Sequence, residues 1–96
     1  MIDLPADQLA QVKAILSQHV PAAEVRVFGS RAAGTPKKYS DLDLAIVDRE
    51  RLSLNTLGAL REAFQESDLP IRVDVVDWHA LSDEFKTVIA AHYVVL

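Results

Sequence analysis

The stretch "GSRAAGTPKKYSDLD", Gly29 to Asp43, decides how this chain is read: a Gly-Ser pair, ten intervening residues, then two aspartates separated by a single leucine. It is flanked by "EVRVF" (Glu24–Phe28) and "LDLAIV" (Leu42–Val47), both rich in strand-forming residues. The pattern therefore predicts a strand, a sharp turn at Gly29, about one helical turn over "RAAG", a loop over "TPKKYS", and a second strand. So short a connection leaves no room for an ordinary helical crossover, which makes the two strands antiparallel neighbours.

Upstream, Leu9, Val12, Ile15 and Leu16 recur at helical spacing and predict a helix over about Asp3–Ser17, with Pro5 near its first turn. Downstream, Ser53 is placed to cap a helix whose apolar face is Leu57, Leu60 and Phe64, ending near "SDLP". "IRVDVV" (Ile71–Val76) alternates as a third strand. Ser82 is placed to cap a last helix showing Phe85, Val88, Ile89 and His92 on one face, before the apolar tail "YVVL", a candidate final strand. This order predicts an α/β fold, a small mixed β-sheet covered by helices. No repeat, low-complexity tract or linker divides the 96 residues, so 1–96 reads as a single domain.

Fourteen acids against ten bases give a net charge of −4, which disfavours an extended nucleic-acid surface. A small anionic ligand stays open, because a few local cations or a bridging metal suffice for it. The absence of cysteine excludes a disulfide framework and a thiolate zinc site. No apolar run approaches the roughly 20 residues of a membrane span. The start "MIDLPADQ" lacks the basic and apolar segments of a signal peptide, so the expected location is cytoplasmic.

Alternation along a strand puts Asp41 and Asp43 on one face and Leu42 and Leu44 on the other. Two carboxylates held that close repel each other, and a Mg²⁺ ion, which prefers hard oxygen ligands, relieves the repulsion. The Gly29 turn leaves backbone N–H groups open to a phosphate; Ser30 adds a hydroxyl and Arg31 a charged fork. Asp74, inside "IRVDVV", comes level with the pair if the third strand lies beside the second, where it can help deprotonate an attacking hydroxyl. The competing reading pairs Asp74 with Arg72 on the same face. Alone, a Gly-Ser pair is an ordinary turn and Asp-x-Asp an ordinary solvated loop; only their combination at fixed offsets points to chemistry. His19, His79 and His92 share no metal-ligand spacing and read as surface or helix-end residues. Trp78 reads as a core plug, and Lys37-Lys38 as a solvated loop.

Gly29, Ser30, Asp41 and Asp43 at these offsets, within "VFGSRAAGTPKKYSDLDLAIV", resemble the signature of the polymerase-β-type nucleotidyltransferase superfamily. Together with "VDVVD" and the closing helix, most of the chain is similar to its minimal nucleotidyltransferase group. The resemblance implies a palm-like core in which Asp41, Asp43 and Asp74 are catalytic and bind two Mg²⁺ ions. The Gly29-Ser30 turn, with Arg31 and Ser40, would hold a nucleoside triphosphate, ATP being the expected substrate. The implied reaction moves a nucleoside monophosphate to a hydroxyl and releases pyrophosphate. Many of the smallest members resemble antitoxins paired with a HEPN-domain ribonuclease, whose tyrosine receives AMP. The alternative is a non-catalytic antitoxin that neutralises its partner by steric contact. A homo-oligomer is also compatible with the sequence. One departure from related sequences is Ala33, where a second basic residue often stands; Lys37 or Lys38 is the candidate replacement. So small a domain leaves the acceptor or a partner to complete the site, and the tail "VIAAHYVVL" is read first as packed structure and second as part of such an interface.

Overall fold

The computed structural model describes residues 2, 4–33 and 41–96, and its strand pairing follows from where the sequence can turn. Helix α1 (Ala6–His19) leads into strand β1 (Glu24–Phe28), the single turn α2 (Ser30–Ala33) and strand β2 (Leu42–Val47). Helix α3 (Leu54–Gln65), strand β3 (Val73–Asp77), a 3₁₀ turn (Trp78–Ala80), helix α4 (Asp83–Ala91) and the two-residue strand β4 (Val94–Val95) complete the chain. The serine caps form as expected. Ser53 Oγ accepts from Thr56 N at 3.1 Å, and Ser82 Oγ accepts from Phe85 N at 3.2 Å, each satisfying an amide that the helix itself leaves unpaired.

The sheet is mixed, in the order β3-β2-β1-β4. β1 pairs antiparallel with β2 and with β4, while β2 and β3 run parallel. The parallel crossover is made by α3, which packs beside α1 and against β3. These two helices cover one face of the sheet. Leu42, Leu44 and Ile46 of β2 are fully buried there with Val25 and Val27 of β1, Val75 of β3, Val12 and Leu16 of α1, and Leu60 and Phe64 of α3. Each such side chain contributes about 1.5–3 kcal/mol from apolar burial, so this layer carries the fold.

Among the described residues α4 covers part of the other face. Phe85 meets the edge of Phe28 with ring centroids 5.8 Å apart and planes at 88°, a favourable aromatic geometry. Ile89 is buried in α4, but Val88 is 65% exposed and Phe85 38%. The expected apolar face of this helix is thus corrected: half of it faces outward, because one short helix cannot reach across four strands. Three further expectations shift. Helix α1 begins at Ala6, with Pro5 just outside it, and continues to His19. β3 begins at Val73, two residues later than its pattern suggested. Trp78 is half-buried in the 3₁₀ turn and not a core plug; the Arg26 guanidinium lies 4.8 Å from its ring centre and 4.6 Å from that of Tyr93.

Candidate active site

The half-open face of the sheet gathers the acids. Asp43 is the register partner of Phe28 on β1 and of Asp74 on β3. Register partners share a face, so Asp74 stands one strand away from Asp43 on the same side. Asp41 precedes β2 with the same parity, and Leu42, between the two acids, is fully buried beneath. The amide of Leu42 donates to Arg72 O at 2.9 Å, which extends the parallel pairing by one residue and fixes the start of β2 against β3.

Asp43 carries the electrostatic load of this arrangement. Partial burial, then the charge of Asp74, then that of Asp41 raise its proton affinity above the ordinary carboxylate value. Asp74 also pairs with Arg72, Nε to Oδ1 at 3.0 Å, with both side chains substantially exposed. Asp74 therefore both shares a face with Asp43 and is paired to Arg72. An exposed pair of this kind is worth at most about 1 kcal/mol, so it exchanges readily for another partner.

Gly29 has φ +78°, the left-handed region that glycine adopts without strain. A Cβ at this position would also collide with Asp43 Oδ2. The turn is therefore glycine for two reasons, backbone conformation and close approach to the central carboxylate. Ser30 opens α2 directly behind it. Arg31, in the same turn, is 6% exposed and already engaged within the chain. Ser40, Lys37 and Lys38 lie outside the described residues.

The donor set fits Mg²⁺. Among the described residues no three carboxylate or imidazole groups form a closed ligand set. Mg²⁺ requires none, since it keeps several waters and commonly takes one or two carboxylates together with substrate phosphate oxygens. The mutual repulsion at Asp43 is what a cation would relieve. Asp43, with Asp41 two residues before it and Asp74 facing it from the next strand, supplies the hard oxygen donors.

Two features of this region escaped the sequence reading. Asp77 is 3% exposed and accepts from Leu52 N at 2.9 Å and His79 N at 3.2 Å, tying the end of β3 to the segment ahead of α3. The three histidines do lie in turns or helix ends. His19 ends α1, His79 Nε2 meets Asp48 O at 2.7 Å, and His92 Nε2 meets Ala32 O at 3.2 Å, fastening the end of α4 to α2. The second contact bears on the site, because it holds α4 against the turn that follows Gly29.

A small mixed sheet with helices on it, a Gly-Ser turn closing over one carboxylate and a third acid on the adjoining strand define the nucleotidyltransferase class. The family model described as "Polymerase beta, Nucleotidyltransferase" matches residues 10–96, and the chain belongs to that family of enzymes. It is 50% identical over 95 residues to a Haemophilus influenzae protein, "Probable protein adenylyltransferase MntA", spanning 99% of this chain and 83% of that one. Among solved structures, a chain described as a minimal nucleotidyltransferase is 31% identical with a TM-score of 0.73, covering 98% of both chains. A toxin–antitoxin crystal structure with AMP-PNP shares the fold, with a TM-score of 0.75 at 23% identity, over 90% of this chain and 69% of the other. A MntA–HpeT toxin–antitoxin structure carrying a Y104A change also shares it, with a TM-score of 0.73 at 23% identity, over 98% and 72%.

Proposed function

We propose that this protein is an adenylyltransferase that moves AMP from ATP to a hydroxyl of a partner protein, and so acts as the antitoxin of a toxin–antitoxin pair. The observation that carries the reading is the placement of Asp74 opposite Asp43, with Asp41 on the same face and the Gly29 turn against the Asp43 carboxylate. The Haemophilus relative supports the transfer chemistry by its name, and the toxin–antitoxin structures support the partner by their fold. The partner is a HEPN-domain ribonuclease and the acceptor one of its tyrosines, as the family resemblance suggests.

Asp41 and Asp43, with Asp74, are assigned to Mg²⁺. When bound, the metal supplies charge neutralisation for the triphosphate and the developing oxyanions. The remaining work falls to the chain. Backbone amides of the Gly29-Ser30 turn and the Ser30 hydroxyl hold phosphate oxygens, and Arg31 adds positive charge; the family resemblance assigns Ser40 the same role. Asp74 accepts the proton of the acceptor hydroxyl. The hydroxyl oxygen then bonds to the α-phosphorus of ATP, the bond from that phosphorus to the bridging oxygen breaks, and pyrophosphate leaves. Most of the rate comes from positioning the three participants in line.

The test is transfer of label from α-labelled ATP, with Mg²⁺, to the co-purified partner. The expected result is labelled partner with the wild-type protein and none with Asp41→Asn plus Asp43→Asn. Label transfer surviving the double substitution refutes the assignment. A second reading, neutralisation by contact alone, draws on the exposed apolar residues Val88 and Val95, 65% and 52% exposed. It predicts that the double variant still protects cells from the toxin at unchanged affinity.

A further inference from the structure

The outer strand β3 borders a groove of about 730 Å³ that leads to the proposed catalytic acid. It is lined by Arg61, Phe64 and Gln65 of α3, by Leu69 and Ile71, and by Arg72 to Val76. Among the described residues β3 pairs on one side only, with β2, so its other side is a sheet edge. The direction of its backbone groups is fixed by two contacts. Arg72 O is used by Leu42 N and points toward β2. Val75 O, of opposite parity, receives Arg61 Nη2 at 2.9 Å and Nε at 3.3 Å and points outward. By alternation, the N–H and C=O groups of Val73 and Val75 both face the groove.

Such an edge is a template for an added strand. Resting on the adenylyltransferase reading above, we propose that the acceptor protein docks here as an extended segment paired to Val73 and Val75. Two features of the groove choose this occupant. Its wall is apolar at Phe64, Leu69, Ile71 and Val73, and its charged lining is Arg61 and Arg72 against the single acid Asp74, a local excess of positive charge in a chain of net charge −4. The segment is therefore acidic and β-forming. The second feature is continuity with the site. A residue of the added strand level with Asp74, on the same face, stands one strand spacing away, about 4.8 Å. A hydroxyl-bearing side chain there lies beside the carboxylate that takes its proton. Arg61 holds the place of the incoming strand's amide on Val75 O until docking, and Arg72 exchanges Asp74 for an acidic side chain of the segment.

The experiment uses the full chain labelled with ¹⁵N and an eight-residue peptide of alternating valine and glutamate with one central tyrosine. A control peptide has the same side chains but N-methyl groups on alternate amides, so that it cannot pair with an edge. The expected result is that the first peptide shifts the Val73 and Val75 amide signals and slows their hydrogen exchange at least about tenfold, whereas the control does not. With ATP and Mg²⁺, the first peptide is labelled on tyrosine. Arg61→Glu should raise its KM by about tenfold, the loss of one interfacial charge contact, with kcat and ATP affinity unchanged. Amide signals at Val73 and Val75 that respond to neither peptide overturn the proposal. So does a response identical for both, which leaves Arg61 as a guard of the edge alone. ATP binding is followed separately through the signals of Ser30 and Asp43. If those shift with Mg²⁺ and ATP while the edge stays silent, the docking inference fails and the nucleotide site stands; if they do not shift, the transferase reading itself fails.

Discussion

Gly29 and Asp43 are in direct contact across the first hairpin: the glycine, at φ +78°, has no room for a Cβ because Asp43 Oδ2 occupies that space. Gly29→Ala must both strain the turn and push the central carboxylate out of line. Holding a non-glycine residue in this conformation costs about 1–3 kcal/mol, so urea denaturation should show a loss of that order. Activity should fall by about 100-fold or more, since displacement of a reacting group by about 1 Å is worth that much. A Gly29→Ala protein with wild-type transfer rates would detach the turn from the chemistry.

Asp43 opposes folding in the ligand-free protein. Its proton affinity is raised in the folded state by burial, by Asp74 and by Asp41, so the folded chain binds the proton more tightly than the unfolded chain does. Stability is then favoured below the ordinary carboxylate range, where both states are protonated, and falls as pH rises through the raised value of Asp43. Asp43→Asn should accordingly increase the melting temperature at pH 7 without metal. That advantage should shrink when both proteins are melted at pH 4 or below. Millimolar Mg²⁺ with ATP should reverse the order, stabilising the wild type more than the variant. A variant that melts below the wild type in EDTA at pH 7 contradicts this balance.

The placement of the candidate acids was readable because it is local or fixed by strand parity. Gly29, Asp41 and Asp43 lie within one hairpin, and parity alone carried both aspartates to one face. Asp74 required one further condition, that the third strand lie beside the second, and β3 meets it by pairing parallel with β2. Position along a pattern could not show what covers it. The stripe on α4 was legible as apolar, yet Val88 faces outward, with none of the described residues burying it. The pairing of Arg72 with Asp74 was anticipated from shared parity, but not that it coexists with the facing of Asp74 toward Asp43. Asp77 was passed over because its burial depends on a return of the chain 25 residues away, at Leu52.

That return makes Asp77 a structural acid. Both of its carboxylate oxygens accept backbone amides, Oδ2 from Leu52 and Oδ1 from His79, with 3% of the residue exposed. Asp77→Ala removes the acceptor of two part-buried amides, which should cost about 1–3 kcal/mol in all. Chemical denaturation should report the loss, while the affinity of the folded fraction for ATP and Mg²⁺ stays within about twofold of wild type, as expected of a group remote from the ligand. A large loss of nucleotide affinity at unchanged stability would move Asp77 into the site.

Arg26 fastens the less protected face of the sheet. Its guanidinium is held between Trp78 and Tyr93, at 4.8 and 4.6 Å from their ring centres, and its Nε donates to Glu24 Oε2 at 2.6 Å. Cation–π contacts are worth about 0.5–1 kcal/mol each at partly exposed sites. Arg26→Ala should therefore lower stability by about 1–2 kcal/mol and increase the solvent exposure of Trp78, seen as a red shift in its fluorescence. Arg26→Lys keeps the charge but loses the planar stacking, so it should recover only part of that stability. Because Trp78 is the sole tryptophan, the emission reports the surroundings of this one ring, where Lys86 Nζ also lies 5.9 Å from its centre. An unshifted spectrum in Arg26→Ala would mean that the ring is shielded by its packing and not by the guanidinium.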